Sequence, residues 1–334
     1  MNVDARKAPG GRASLTLRWV VKITVSVALM VFLVRKVSLA ELEALLRRMD
    51  VAMLAGAVAV FFVSTVAGWY QWHLLLRASG VALAARDTFR FYSVGLFFNN
   101  FLPANVGGDA VKVYDVSRLG ADPYQVIAVT LLDRLLGVFS LCALAAAADL
   151  FLLDRSPHYW FYLALFAACM IPAVGFYFFR PLGNTLRRVA LAMRPLALDR
   201  RVTSILDHLG PFKGRRPLVA RLAAFSVVIQ ALRVLTHVLV GLALGIHVDW
   251  ILLCQFFVFV PLLSLAMIPP ITINGLGVRE GLGILLFAEA GIGRADAFTL
   301  EFLTYAISVL VSLLGLAFFV ARRVDAPGTR RFPA

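Results

Sequence analysis

The sequence predicts an all-α integral membrane protein with about eight membrane helices, some of them broken or re-entrant, in two halves related as an inverted repeat. The 334 residues are 61% hydrophobic and only 16% charged, whereas a soluble domain is about half apolar and a quarter charged. Two segments, one in each half, place proline, asparagine, glycine and charge inside apolar sequence. Backbone that breaks inside a bilayer must be buried in protein or line a wet cavity, and two such breaks are typical of transporters.

Apolar runs long enough to cross a bilayer as a helix, which takes about 20 residues, recur along the chain. They are residues 17–34, 51–72, 124–153, 159–179, 222–246, 250–273 and 302–321, with half-length apolar helices at 88–102 and 281–290. Residues 38–49 carry apolar side chains at helical spacing with charges opposite, which is typical of a helix lying at the membrane interface.

The chain is basic, with 33 Lys and Arg against 19 Asp and Glu. In a membrane protein such an excess indicates loops that stay in the cytoplasm and contact anionic lipid headgroups, so we expect no nucleic-acid partner. We therefore divide the chain into a basic cytoplasmic N-terminus (1–16), a first transmembrane half (17–179), a basic cytoplasmic loop (180–221), a second transmembrane half (222–322) and a basic C-terminal tail (323–334). Both termini are predicted to be cytoplasmic, and the first span to be an uncleaved anchor.

The first broken segment is residues 99–112, with the sequence NNFLPANVGGDAVK. Pro103 removes a backbone donor and ends a helix, and Gly108 lets a ligand or another helix approach the backbone. A helix that restarts at or after Asn105 would offer its first N–H groups to a phosphate, and Lys112 would add a full charge about one turn later. The candidate substrate-binding residues here are Asn100, Pro103, Asn105, Gly108, Asp109 and Lys112.

The second broken segment is residues 269–280, with the sequence PPITINGLGVRE. It follows the same plan of proline, asparagine, two glycines, an acid and a base, which suggests an internal repeat. Arg279 would supply a planar fork that matches phosphate oxygens. The simpler interpretation makes both segments tight packing turns whose charges pair internally, Asp109 with Lys112 for example. The candidate residues here are Asn274, Gly275, Gly277, Arg279 and Glu280.

Three further charged positions lie within apolar spans, where an ionisable side chain is a functional candidate by default. Asp133 and Arg134 are adjacent, so a helix points them about 100° apart. Arg233 is a candidate headgroup contact or a partner for Asp133, and it shares a helix face with His237. His237 is expected to be a hydrogen-bonded structural group more often than a proton relay, and Glu301 is expected at the membrane interface.

Enzyme signatures are missing from the sequence, which has no P-loop, HExxH, GxSxG or paired His/Cys metal spacing. We expect no catalytic residues, no cofactor and no metal. The three cysteines lie in apolar runs without paired spacing and are expected to be small core residues.

Three stretches together resemble the lysylphosphatidylglycerol synthase transmembrane-region family. They are NNFLPANVGGDAVKVYDVSRLG at 99–120, LLDRLLG at 131–137 and NGLGVREG at 274–281, and the resemblance covers roughly residues 15–322. The family is the flippase-like membrane domain of the bacterial multiple peptide resistance factor, and it also occurs as free-standing bacterial and archaeal proteins, including a hopanoid-associated subgroup. The motif residues carried over are Asn100, Pro103, Asn105, Gly108, Asp109, Asp133, Arg134, Asn274, Gly275, Gly277, Arg279 and Glu280.

The resemblance implies a helical domain with two inverted halves that moves or accommodates a lipid headgroup between leaflets of a bacterial cytoplasmic membrane. Aminoacylation in the longer relatives belongs to a separate C-terminal domain, for which this chain has no room, so synthase activity is not expected. The leading hypothesis is a flippase-like transporter for a phospholipid, a polyprenyl-phosphate-linked lipid or a hopanoid. The alternatives are an integral-membrane transferase acting on a lipid-linked substrate and a scaffold for a lipid-modifying enzyme. Membrane lipids, a homodimer and such an enzyme are the candidate partners.

Overall fold

The computed structural model describes residues 47–101, 107–178, 199–269 and 275–321. Its ten helices are α1 (Val51–Ser79), α2 (Ala85–Phe101), α3 (Gly107–Ser117), α4 (Pro123–Asp149), α5 (His158–Phe178), α6 (Asp199–Gly214), α7 (Arg216–Ala243), α8 (Trp250–Ala266), α9 (Val278–Glu289) and α10 (Arg294–Val320). The all-α fold class predicted from the sequence is confirmed. The predicted first span (17–34) and nearly all of the interfacial helix lie outside the described residues.

Four of these helices, α1, α4, α7 and α10, are long and apolar enough to cross a membrane. Each has at least 27 residues, which corresponds to a helix of about 40 Å and exceeds the hydrocarbon core. Shorter apolar stretches occupy His158–Ile171 of α5 and the whole of α8. The chain is thus an integral membrane protein.

Two helix starts differ from the predicted element bounds. Helix α6 lies within the predicted basic loop (180–221), and residues from Arg216 onward already belong to α7, while the division into a cytoplasmic loop and two transmembrane halves stays a prediction. Pro217 favours this earlier start, because a proline in the first helical turn has no backbone bond to lose. The last span begins at Arg294 rather than at residue 302. The polar residues at both helix starts lower the hydropathy without interrupting the helix.

Helices α1–α4 and α7–α10 correspond in order and length. The first set has 29, 17, 11 and 27 residues and the second has 28, 17, 12 and 27. Helices α1 and α7 are antiparallel neighbours, because the Asp50 N–H donates to the Ala243 carbonyl at 2.8 Å and Arg215 Nη1 donates to the Ala78 carbonyl at 2.6 Å. Helix α2 packs on α10, as α8 packs on α4. An inverted repeat would produce this pattern, and the division into two halves stays a prediction.

Small residues hold α2 between α3 and α10. A Cβ on Gly108 would overlap the carbonyl oxygen of Gly95, and a Cβ on Gly315 would overlap the carbonyl oxygen of Ser93. Backbone therefore packs directly on backbone at both contacts. The half-length helix α2 thereby brings the end that leads into the first broken segment beside α10, the helix that comes after α9.

Candidate functional site

Asp109, in the first turn of α3, is the centre of a buried ion cluster. Its Oδ1 lies 2.8 Å from Lys112 Nζ, and its Oδ2 accepts from Arg134 Nε at 2.7 Å and lies 2.7 Å from Arg134 Nη2. Asp109 and Lys112 are buried, whereas the Arg134 side chain is 45% exposed. The predicted pairing of Asp109 with Lys112 is confirmed, and Arg134 of α4 completes it.

Two aromatic rings enclose the Lys112 ammonium. Its Nζ lies 5.1 Å from the ring centroids of both Trp72 of α1 and Tyr92 of α2. A cation over an aromatic face is attracted by the ring quadrupole, and more strongly when it is desolvated. Lys112 therefore ties α3 to α1 and α2 while its charge is balanced by Asp109. The ring cage was missed from the sequence, because its two rings come from helices α1 and α2, distant in the chain from Lys112.

Asp133 lies beside this cluster and is held by an amide. Its Oδ1 accepts from Gln71 Nε2 of α1 at 2.9 Å, and its carboxyl is within electrostatic range of Lys112, Asp109 and Arg233. Arg233 of α7 also donates to Gln230 Oε1 at 3.5 Å. Five predicted residues, Asp109, Lys112, Asp133, Arg134 and Arg233, are thus gathered in one charged cluster, hereafter the first-half cluster.

Glu280 stabilises the start of α9 in the second half. Gly275 and Gly277 both adopt positive φ, of 76° and 83°, a conformation that a Cβ disfavours. The Gly277 N–H donates to Glu280 Oε2 at 2.6 Å, which satisfies one of the N–H groups that every helix start leaves open. Glu280 is fully buried, and its Oε1 has no hydrogen-bond partner among the described residues.

Arg279 differs from Lys112 and Arg134, because no carboxylate in the described parts of the chain forms an ion pair with its guanidinium. Its Nε lies 3.4 Å from the sulfur of Met267, and its Cζ lies 5.5 Å from the Tyr305 ring centroid. Both partners are weak compared with an anion. The arrangement leaves a guanidinium able to accept an anionic ligand.

Helix α10 connects the two broken segments. The hydroxyl of Tyr305, under Arg279, donates to the Asn100 carbonyl at 3.5 Å. The Asn100 amide also donates to the Ser308 carbonyl at 3.4 Å and accepts from the Ser308 hydroxyl at 3.3 Å. The end of α2 and the start of α9 therefore contact neighbouring turns of the same helix.

A buried pair joins this region to α7. Glu301, which was expected at the membrane interface, is fully buried within the protein in the second turn of α10. Its Oε2 lies 3.8 Å from Nε2 of His237, the residue one turn after Arg233. The interfacial position of Glu301 stays a prediction.

The predicted candidates thus form two groups. Asn100, Gly275, Gly277, Arg279 and Glu280 lie around the start of α9 and the Tyr305–Ser308 turn of α10, and the five charged residues named above form the first-half cluster. Gly108 contacts α2, and its N–H is already taken by Asn99 Oδ1 at 2.8 Å, so that donor is not open to a phosphate. Pro103, Asn105 and Asn274 lie outside the described residues. The binding roles stay predictions.

Among the described residues, one surface depression is an apolar groove of about 400 Å³ lined by α1 and Phe225, and another is lined by residues of the α4–α5 connection. Neither includes a predicted site residue.

Comparisons with known proteins agree with the motifs. The family described as "Lysylphosphatidylglycerol synthase TM region" matches residues 19–315. A "UPF0104 membrane protein" of Methanothermobacter thermautotrophicus is 24% identical over 303 residues, which cover 83% of this chain and 87% of the relative. No solved structure matches the chain. With nearly its whole length matched, the chain belongs to the lysylphosphatidylglycerol synthase transmembrane-region family, whose role is related to membrane lipids.

Proposed function

We propose that this protein is a flippase-like transporter that binds an anionic or zwitterionic lipid headgroup and moves it between leaflets while the tails stay in the bilayer. It acts without synthase or other enzymatic activity, in the cytoplasmic membrane, with both termini inside. Its substrate class is a phospholipid, a polyprenyl-phosphate-linked lipid or a hopanoid with a charged head.

The observation that carries this proposal is the Arg279 guanidinium. It has no carboxylate ion pair among the described residues and lies over Tyr305, where both broken segments meet α10. An uncompensated charge within a membrane protein costs at least about 2.5 kcal/mol, so a charge kept there is expected to have a ligand. Arginine binds phosphate oxygens with two parallel hydrogen bonds, which suits a lipid phosphate.

The first-half cluster has a different role in this proposal. Lys112 and Arg134 both form ion pairs with Asp109, so in this proposal they hold α3 against α1, α2 and α4. The correspondence between α1–α4 and α7–α10 provides two bodies that could rock against each other. Rocking would open the packed region around Arg279 to one leaflet and then to the other.

The direct test is leaflet exchange in proteoliposomes. Labelled phospholipids, polyprenyl phosphates and hopanoids are offered to the wild-type protein, to Arg279→Gln, and to Arg155→Gln as a control at an exposed arginine in the α4–α5 connection. We expect accelerated exchange of one phosphate-bearing class, reduced at least tenfold in Arg279→Gln and unchanged in Arg155→Gln. Equal rates of lipid exchange in wild type and Arg279→Gln would show that the guanidinium does not bind the headgroup.

The alternatives have their own outcomes in the same preparation. No exchange of any lipid by folded wild-type protein would contradict transport. Turnover of a lipid-linked sugar donor would then support the transferase, and loss of an enzyme's activity on deleting the basic loop would support the scaffold.

A further inference from the structure

Glu301 is a buried carboxylate with no conventional partner. It is fully buried in the second turn of α10, and neither of its oxygens accepts a hydrogen bond from the described residues. The nearest group able to carry a positive charge is His237, with Nε2 3.8 Å from Oε2. Gly283 of α9 packs on the same side chain, because a Cβ there would lie 2.7 Å from Glu301 Cγ. A carboxylate so enclosed is too costly to keep ionised unless a charge compensates it.

The hydrogen bonding of His237 determines which ring nitrogen carries a hydrogen. The other nitrogen, which faces Glu301, carries none in the neutral imidazole. Nδ1 lies 3.1 Å from the carbonyl oxygen of Arg233, and a carbonyl can only accept, so Nδ1 carries a hydrogen. In the neutral imidazole Nε2 is then a bare acceptor, and it points at the carboxyl group of Glu301. At 3.8 Å these two atoms form no hydrogen bond, and an ionised Glu301 beside a neutral imidazole would leave its charge uncompensated unless one proton is held on Glu301 or on Nε2.

The surrounding charges favour the same single proton. The titratable groups that interact with Glu301 from the described residues are His237 of α7 and Glu280 of α9, and Glu280 is itself a fully buried acid. Helices α1 and α2 also pack on α10, and no charged side chain of their described residues interacts with Glu301. Losing the proton of the Glu301–His237 pair would therefore place a negative charge beside a second buried carboxyl group.

The corresponding position in the first half is built differently. Asp133 of α4 is held by Gln71 of α1, as Glu301 of α10 faces His237 of α7. An amide does not titrate, and it donates to a carboxylate in one fixed state. An imidazole exchanges its proton near neutral pH. In the second half, the partner of the buried carboxyl group is therefore a side chain that can gain or lose a proton. In the first half, the partner is an amide that cannot.

We propose that Glu301 and His237 share one proton and form the proton-binding site of a proton-coupled lipid transporter. This rests on the proposed transport function. The proton is held while α9 packs on α10. When that packing opens, the O–H bond of Glu301 or the Nε2–H bond of His237 breaks and the proton passes to water on the open side. Glu301 lies one turn from Tyr305 on α10 and packs against Gly283 of α9, so the site contacts both helices that carry the headgroup region.

The bound species is a proton rather than a metal cation. Hard cations take several oxygen ligands, whereas the group facing Glu301 is an imidazole nitrogen. In the part of the chain that the structure describes, no three His, Cys, Asp or Glu side chains are placed to hold a metal ion.

The test for coupling measures the final distribution of lipid rather than its rate. Proteoliposomes containing the lipid class exchanged by wild type are given either equal pH on both sides or a gradient of one pH unit. One proton coupled to each lipid allows an asymmetry of up to about tenfold between leaflets, because one pH unit is worth about 1.4 kcal/mol. We expect asymmetry only with the gradient, beyond that of protein-free vesicles.

The variants are Glu301→Gln and His237→Gln, with Glu289→Gln and His247→Gln as controls at exposed positions. Both site variants should give equal leaflets under the gradient, and both controls should keep the wild-type asymmetry. Wild-type asymmetry in Glu301→Gln, or asymmetry that follows a sodium gradient instead, would overturn the proposal.

A second measurement is independent of transport. Infrared difference spectra of the purified protein, recorded between acid and alkaline pH, report protonation of a buried carboxylic acid or of an imidazole. We expect one signal that is lost in Glu301→Gln or His237→Gln and kept in the controls. Its absence in wild type would overturn the proton site even if lipid exchange is found. Its presence without any lipid exchange would keep the site and reject the transport function.

Discussion

The first-half cluster and the region around Arg279 contain similar acidic and basic residues, but the side chains are partnered differently in the two regions. Around Asp109, acid and base are matched at 2.8 and 2.7 Å and lysine is enclosed by two rings. Around Arg279, the guanidinium meets a thioether and a ring, and the carboxyl groups of Glu280 and Glu301 have oxygens without hydrogen bonds in the described structure.

This difference indicates which part is fixed and which part can change. A matched buried ion pair resists separation, because either partner alone would be left uncompensated. A charged group with weak partners loses little interaction free energy when a ligand or a proton replaces those partners. The first half is thus expected to act as a frame, and the second half to bind and release.

The largest effect, a loss of stability, should follow from disrupting the ion pairs of the first-half cluster. Asp109→Asn leaves Lys112 and Arg134 without their shared carboxylate. We expect the free energy of unfolding to fall by about 3 kcal/mol, the low end for a buried pair, because Arg134 is 45% exposed. Chemical unfolding of the detergent-solubilised protein measures this.

The control for that variant is Asp154→Asn, at an exposed aspartate after α4, which should change stability by less than about 0.5 kcal/mol. Adding Lys112→Met to Asp109→Asn should restore part of the loss, since it removes one uncompensated charge. Equal stability of Asp109→Asn and Asp154→Asn would contradict the role of the cluster as a frame.

A smaller loss is expected from separating α2 and α3. Gly108→Ala places a methyl group against the Gly95 carbonyl, and overpacking of this kind costs about 1–3 kcal/mol. Gly210→Ala in α6 is the matched control, because nothing lies within 4 Å of the added Cβ. The same unfolding measurement should show the control as stable as wild type or more so, and a tolerated Gly108→Ala would contradict the close packing.

The smallest effect concerns the ring under Arg279. Tyr305→Leu removes the face that orients the guanidinium, a contact worth about 0.5–1 kcal/mol, so lipid exchange should slow about two- to fivefold. Tyr305→Phe keeps the ring and should exchange lipid at nearly the wild-type rate. Phe302→Leu, at an exposed ring of α10, is the control. Equal slowing in Phe302→Leu would show that the effect is not specific to Arg279.

Much of the fold could be predicted from local sequence. The spans that became α1 and α5 follow from uncharged apolar runs, those that became α4 and α7 follow from apolar runs with few charged residues, and the breaks follow from proline and glycine. Asp109 and Lys112 are three residues apart in one helix, so their pairing was also visible. These features depend on residues close together in the chain.

The contacts between distant helices could not be read in this way. Gln71 meets Asp133, and His237 meets Glu301, only because α1 packs on α4 and α7 on α10. Trp72 and Tyr92 resemble lipid-facing aromatics until α3 places Lys112 between them. The hydropathy pattern also placed Glu301 before the predicted last span. The first turns of α10 are polar, so hydropathy alone does not show that they belong to the helix.

The central claim is that the headgroup binds at Arg279 and not in the first-half cluster. A phospholipid with a photoreactive headgroup, cross-linked in proteoliposomes and mapped by mass spectrometry, tests this directly. The account predicts labels within residues 275–289 and 301–308, lost in Arg279→Gln and kept in Arg155→Gln. Labels concentrated on residues 107–134, or labelling that is unchanged in Arg279→Gln, would contradict it.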